Sequence, residues 1–296
     1  MDPKPSYEEL FTRNIGFVDE TEQAHLRHSR FGVLGVGGMG GVIAQVLVRS
    51  GVGALSILDK DDFEPSNNNR QVYATEETWG RPKVDVTAEQ LRKINPALDV
   101  RVEHHFGGDN IDAVMAGCDV VINGMDELSA CVRLWRAARE KKIPLVDAYS
   151  APLPNVFVIR PGDPTPEDFL HYPTVGRNPD EFPVSNKEAA ALIDECKLRE
   201  ALHVALHTRS LRYLDMQIIN EILTGRRARI SFAPMVWGAG LMMAWEAIKL
   251  RLGRGKIAPA YGRFWDPWMG DCKDARAFLP FELELIRKAY SLMERA

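Results

Sequence analysis

Gly35, Gly37, Gly38 and Gly40 fall within the stretch Gly35-Val36-Gly37-Gly38-Met39-Gly40. Glycines so spaced let the backbone turn sharply and come close to a phosphate. A helix beginning on them adds free N–H groups and the positive end of its dipole. The G-x-G-x-x-G spacing is shared by many nucleotide folds, so the polar residues downstream must narrow the chemistry. Asp59 closes an apolar run and can accept hydrogen bonds from ribose hydroxyls, which suits NAD and ATP equally. Asn67, Arg70 and Gln71 follow in a polar, turn-rich stretch whose composition a solvated loop would also explain. Lys83 falls in the first turn of the next helix, a poor place for a cation unless it faces bound phosphates. Asp126 either opens a helix or ligates a metal, and Arg13 reads first as a surface charge. Cys196, Glu200, His203 and His207 recur along one stripe of a helix. Packing with a solvated edge explains that stripe; a metal site or an activated thiol is the alternative.

These residues need elements to hold them. Phe31 to Leu34 reads as a buried strand before the glycine loop, and Val42 to Val48 as the helix after it. Gly53 to Asp59, Leu98 to Val102, Asp119 to Gly124, Ile143 to Ala148 and Asn155 to Ile159 read as further strands. Helices are expected from Pro82 to Ile94, from Asp109 to Met115 and over 127–142. This alternation predicts an α/β fold of Rossmann type, a mostly parallel sheet flanked by helices. Residues 1–30 form a helical arm in this reading. Residues 161–229 start as a proline-rich crossover, Pro161 to Pro183, and continue as an inserted helical hairpin. Ser185 is expected to cap its first helix, Leu211 to Leu223 to form the second, and Gly225 to Arg229 to be a basic turn. Ser231 to Leu252 reads as a buried helix, Arg263 to Pro267 as a late strand and turn, and Phe281 to Arg295 as an exposed helix. One domain spanning 1–296 accounts for all of it.

A net charge of −4 gives no support for a nucleic-acid partner. The longest apolar run, Ala233 to Trp245, is too short to span a bilayer, and residues 1–30 are too polar for a signal peptide. Cys118, Cys131, Cys196 and Cys272 are far apart, with no C-x-x-C pair, so a reducing cytoplasm is the expected compartment.

Taken together, Gly35 to Gly40, Asp59-Lys60-Asp61, Asn67 to Gln71, Gly80 to Lys83, Ile94-Asn95-Pro96 and Asp126 resemble the ThiF/MoeB/HesA-type adenylyltransferases. These are small relatives of ubiquitin-activating enzymes. The resemblance covers most of residues 5–160 and resumes over 230–252, at Phe232-Ala233-Pro234 and Ala244 to Lys249. It implies an enzyme in which a carboxylate attacks the α-phosphorus of ATP, giving an acyl-adenylate and pyrophosphate. Gly35, Gly37, Gly38, Gly40, Asp59, Asp61 and Gln71 would then surround the nucleotide, with Asn67, Arg70 and Lys83 on the triphosphate. Asp126 would hold Mg²⁺, and Arg13 would reach into the ATP site of a partner copy, making a homodimer. The acceptor would be the C-terminus of a ubiquitin-like or sulfur-carrier protein, a peptide, or a small acid.

The chain departs from the family pattern in several places. The C-x-x-C zinc motifs are absent, so no structural zinc is expected. Glu127 stands where Asn commonly follows the aspartate, and Asn68 replaces an apolar residue. The long insertion puts the family's thioester or persulfide cysteine in question, with Cys196 the candidate in that region. Three other readings remain: an NAD-dependent oxidoreductase, which leaves Arg70, Lys83 and Asp126 without a task, a non-catalytic scaffold subunit, and a tRNA-modifying member of the same family, which the acidic balance does not support.

Overall fold

The computed structural model describes residues 5–105, 108–179, 187–223, 226–227, 230–279, 281–282 and 284. Strands β1 (Arg30–Leu34), β2 (Ala54–Leu58), β3 (Asp99–Glu103), β4 (Val120–Asn123) and β5 (Leu145–Asp147) run parallel. They are joined edge to edge in the order β3-β2-β1-β4-β5. Three strands then extend the sheet antiparallel: β6 (Asn155–Ile159), β7 (Arg263–Asp266) and β8 (Asp271–Asp274). Every residue of β1, β4 and β5 is buried, which is why Phe31 to Leu34, Val120 to Ile122 and Leu145-Val146 read as apolar runs rather than alternating patterns. Strand β8 was not foreseen. Its four residues, Asp271-Cys272-Lys273-Asp274, form a polar edge strand that carries no apolar run.

The N-terminal arm comprises α1 (Tyr7–Phe11), a 3₁₀ turn (Thr12–Asn14) and α2 (Glu20–Arg27). One face of the sheet is covered by α3 (Gly38–Arg49), α4 (Lys83–Ile94) and α10 (Ala233–Leu252), whose Ile43, Leu47, Leu91, Met243 and Ala247 share one core. The other face carries α5 (Gly108–Met115), α6 (Leu128–Lys141) and α8 (Lys187–His207), with Val114, Leu134, Trp135 and Val204 in a second core. Between α6 and α8 lies the short α7 (Pro166–Phe169), and α9 (Met216–Leu223) follows α8. The proposed cap Ser185, residues 225, 228 and 229 of the basic turn, and most of 281–295 lie outside the described residues.

Helix α3 begins four residues before the expected Val42, so Gly38 and Gly40 belong to its first turn. Close packing explains the glycines there. A Cβ on Gly40 would lie 1.7 Å from the Gly35 carbonyl oxygen, and one on Gly38 would lie 2.7 Å from Val236 of α10.

Candidate functional site

Strand order reverses between β1 and β4, and the loops leaving the carboxyl ends of those two strands open a crevice. Gly35 turns out of β1 at φ +87°, and a side chain there would strike the backbone of Gly124 at 2.6 Å. The two loops thus touch through bare backbone. Gly37, by contrast, has nothing nearer than the Gln71 amide at 3.6 Å. The Gln71 side-chain oxygen is buried and has no hydrogen-bond partner among the described residues. An open glycine beside an unmet polar group suits a polar ligand over the start of α3.

Asp59 stands just beyond β2 and anchors the loop. Its carboxylate accepts the Val36 N–H at 2.8 Å and the Asp61 N–H at 3.0 Å. Burial raises its pKa, while the nearby Lys83 charge works in the opposite direction. Lys83 opens α4, one residue after the position expected for Pro82, which caps it instead. Its side chain is almost wholly buried and donates to Asp61 at 2.9 Å. That ion pair, and not a phosphate alone, answers the cation at the helix N-terminus. Asp61 therefore contributes to the crevice by holding Lys83.

The stretch from Asn67 to Gln71 is tied down residue by residue. Asn67 is buried and accepts the Glu64 N–H at 3.1 Å. Asn68 accepts from the Trp79 indole at 2.8 Å, which accounts for a polar residue at that position. Asn69 donates to the Ser231 carbonyl at 2.9 Å, and the Trp237 indole donates to the Arg70 carbonyl at 2.8 Å. The Arg70 guanidinium donates to Ser66 O and Asn69 Oδ1. Ser231 and Trp237 lie more than 160 residues downstream, and no local pattern announces their part in the site.

Asp126 is exposed on the loop between β4 and α6. The next residue, Glu127, accepts from Ser129 Oγ at 2.7 Å and from Lys60 at 2.9 Å, and those two contacts lower its pKa. The Lys60–Glu127 pair links the loops after β2 and β4 across the crevice. The hydrogen bond to Glu127 raises the Lys60 pKa most, and the charges of Asp61 and Asp126 work in the same direction. Among the described residues no three His, Cys, Asp or Glu side chains gather to hold a metal. Asp126 offers one exposed carboxylate at this loop, and a cation such as Mg²⁺, bound to phosphate oxygens, needs only one or two carboxylates from a protein.

Behind the Asp126 loop lies a buried polar network that the sequence did not reveal. Asp147 accepts from Asn123 Nδ2 at 2.9 Å, from the Trp135 indole at 2.7 Å and from the Ala148 N–H at 2.6 Å. Burial pushes its pKa up to about 7.

Arg13 is exposed in the arm. The adjacent Asn14 and Gln23 both donate to the Ser50 carbonyl, at the far end of α3 from the glycine loop. A twelve-residue helix is about 18 Å long, so the arm and its own loop lie at opposite ends.

Cys196 does not join the crevice. It is fully buried in the second core, where burial and then Glu200 raise its thiol pKa, the reverse of what an attacking thiolate needs. Its stripe is packing. His203 bonds to the Tyr261 carbonyl at 2.7 Å and lies among the rings of Tyr149, Phe169 and Phe278, and burial lowers its pKa to about 4.

The sequence profile of the ThiF family matches residues 11–276. The chain belongs to the ThiF family. Over 143 residues it is 34% identical to the tRNA threonylcarbamoyladenosine dehydratase of Bacillus subtilis (strain 168), covering 48% of this chain and 56% of that one. The molybdopterin-synthase adenylyltransferase of Salmonella typhimurium is 31% identical over 153 residues, 50% of this chain and 61% of that one. The chain spans about half the length of the relatives it matches. Among solved structures, PaaA aligns with a TM-score of 0.62 at 18% identity, covering 94% of this chain and 85% of PaaA. E. coli MccB with ATP aligns at 0.60 and 17% identity, covering 88% and 67%. At those identities the likeness is one of ThiF-type fold. Among the described residues no helix is long and apolar enough to cross a membrane.

Proposed function

We propose that this ThiF-family chain is an ATP-dependent adenylyltransferase that activates a carboxyl group. The observation that carries the reading is the crevice itself: an open Gly37, an unmet Gln71 side-chain oxygen and the buried Lys83 ammonium paired with Asp61 near Asp59. The acceptor carboxylate attacks the α-phosphorus of ATP, a new P–O bond forms, and the bond to pyrophosphate breaks. Both reactants are anionic, so cations must offset their repulsion and the charge that gathers on the leaving pyrophosphate. Lys83 and Arg70 take that role on the triphosphate with Asn67; Gly37, Gly38 and Gln71 border the nucleotide, and Asp59 receives its ribose hydroxyls. Mg²⁺ held by Asp126 would lend further positive charge to the phosphate oxygens.

Arg13 completes the site of a second copy. Its position far from its own glycine loop supports this, and so does an exposed apolar stripe on α10. Trp237, Leu241 and Trp245 recur at every fourth residue, and Phe17 of the arm meets Trp245 at 6.0 Å. The acceptor is the C-terminus of a ubiquitin-like or sulfur-carrier protein, a peptide or a small acid. The Bacillus relative adds a tRNA-borne threonylcarbamoyl group to that set.

ATP–pyrophosphate exchange, screened across these acceptors, tests the reading, with NAD titration as the control. Exchange should appear with one acceptor class and vanish in both Asp126→Ala and Arg13→Ala. Mixing the two variants should restore about a quarter of wild-type activity, because half the dimers then hold one intact composite site. No restoration on mixing would remove Arg13 from the partner's site, and tight NAD binding without exchange would end the adenylyltransferase reading.

A further inference from the structure

Asp147, at the end of β5, is 3% exposed, and among the described residues every hydrogen bond it receives comes from a neutral donor. No ion pair reaches it among the described residues, and Glu200 of α8 adds to the negative field around it. A buried carboxylate without a cation costs stability, and a neutral side chain of similar size would be easier to accommodate. Stability therefore does not explain why an acid stands here. What it holds does.

Asn123, the last residue of β4, has its amide fixed at both ends. Nδ2 donates to Asp147 at 2.9 Å and lies 3.2 Å from Cys131 Sγ, while Oδ1 accepts the Met125 N–H at 3.1 Å. The Trp135 indole can only donate, so the Asp147 Oδ2 that it meets serves as an acceptor and turns the NH₂ end of Asn123 toward itself. The oxygen end is then left facing the Met125 amide, one residue before Asp126. A neutral partner with both donor and acceptor atoms would let that amide turn round and release the loop.

We propose that Asp147 is a positioning residue: by orienting the Asn123 amide it holds the Met125–Asp126 backbone in the conformation that presents Asp126 to the crevice. The proposal rests on the reading of Asp126 as the Mg²⁺ ligand. Residues that orient a metal ligand from behind typically contribute ten- to hundredfold to metal affinity.

Calorimetric titration with ATP, in Mg²⁺ and in chelator, separates the possibilities without turnover. Wild type should bind ATP more tightly with Mg²⁺. Asp147→Ala should lose roughly tenfold of that enhancement, Asp147→Asn a smaller part, and neither should change binding in chelator. Trp135→Phe removes the other donor to the same carboxylate oxygen but leaves the Asn123–Met125 link, and should keep the full enhancement. In an Asp126→Ala background Asp147→Ala should add nothing further. If the alanine variant fails to fold, Asp147→Asn and Trp135→Phe carry the same comparison. A Mg²⁺ enhancement untouched by either Asp147 variant, or losses that add in the double variant, would overturn the positioning role alone. A wild type indifferent to Mg²⁺ would instead sink the metal assignment of Asp126, and the proposal with it.

Discussion

On the β2 side of the crevice, Asp61 meets the nearly buried ammonium of Lys83 at 2.9 Å; on the β4–β5 side, Asp147 meets only neutral donors. The first acid is more than half exposed and its cation is hidden, so water can solvate Asp61 whatever happens to Lys83. The second acid is hidden, and among the described residues no cation pairs with it. One wall thus keeps a positive charge ready for a ligand that brings negative charge. The other buries a carboxyl group that fixes the direction of a single amide. The two should respond differently to pH and to removal of charge.

The largest difference is expected in stability against pH. The native pKa of Asp147 is raised from 3.8 to about 7, so between those values the unfolded chain has lost a proton that the folded chain keeps. Folding stability contributed by this group is therefore full below the unfolded pKa and is lost as pH rises toward the folded one. Three units correspond to roughly 4 kcal/mol. Denaturant melts at pH 4 and pH 7 should show Asp147→Asn gaining on wild type by up to about that amount as pH rises. Equal pH dependence in the two proteins would mean that Asp147 is already ionised well below neutrality and that its neutral donors suffice.

The opposite pattern is expected for Lys83→Met. The methionine keeps the buried stem, and Asp61 remains in water, so stability should change by no more than about 1 kcal/mol. Pyrophosphate exchange should fall about a hundredfold, equivalent to about 3 kcal/mol, because a cation aimed at developing charge in a water-poor site is removed. Retained exchange with lowered stability would reverse the assignment and make Lys83 a structural cation.

The two walls also differ in how far their parts could be read before the structure. Gly35, Gly37 and Gly40 sit at fixed local spacing, and Asp59 and Lys83 each end or begin an element whose apolar period marks it, so the β2 wall is written in short-range order. The parallel sheet was legible for the same reason, since buried strands give unbroken apolar runs. Asp147 is a single acid after Leu145-Val146, and its partners Asn123 and Trp135 lie 24 and 12 residues away. Only the pairing of β4 with β5, Ile122 beside Val146, brings them together. The clamps from Ser231 and Trp237 onto Asn69 and Arg70 were hidden likewise, because the packing of α10 on α3 sets them and no local motif does. Side-chain burial on α8 was illegible too: the Cys196–His207 spacing marks one helical face but says nothing of what covers it.

Cys196 carries the smallest expected effect and sharpens the comparison from outside the crevice. Its thiol is buried among apolar neighbours, with Glu200 further disfavouring the thiolate. Both influences raise its pKa, whereas a cysteine that attacks an acyl-adenylate needs a pKa near or below ambient pH. Replacing it with alanine removes one small sulfur atom from the core, a cost of about 1 kcal/mol. Exchange should stay at the wild-type rate in Cys196→Ala, and the native thiol should react with a water-soluble maleimide only as fast as the protein unfolds. Rapid labelling in the native state would show that α8 opens and would return Cys196 to the candidates for an acyl or sulfur carrier. Slow labelling with unchanged exchange would confine the chemistry of this chain to the crevice, between a wall that supplies charge and a wall that supplies direction.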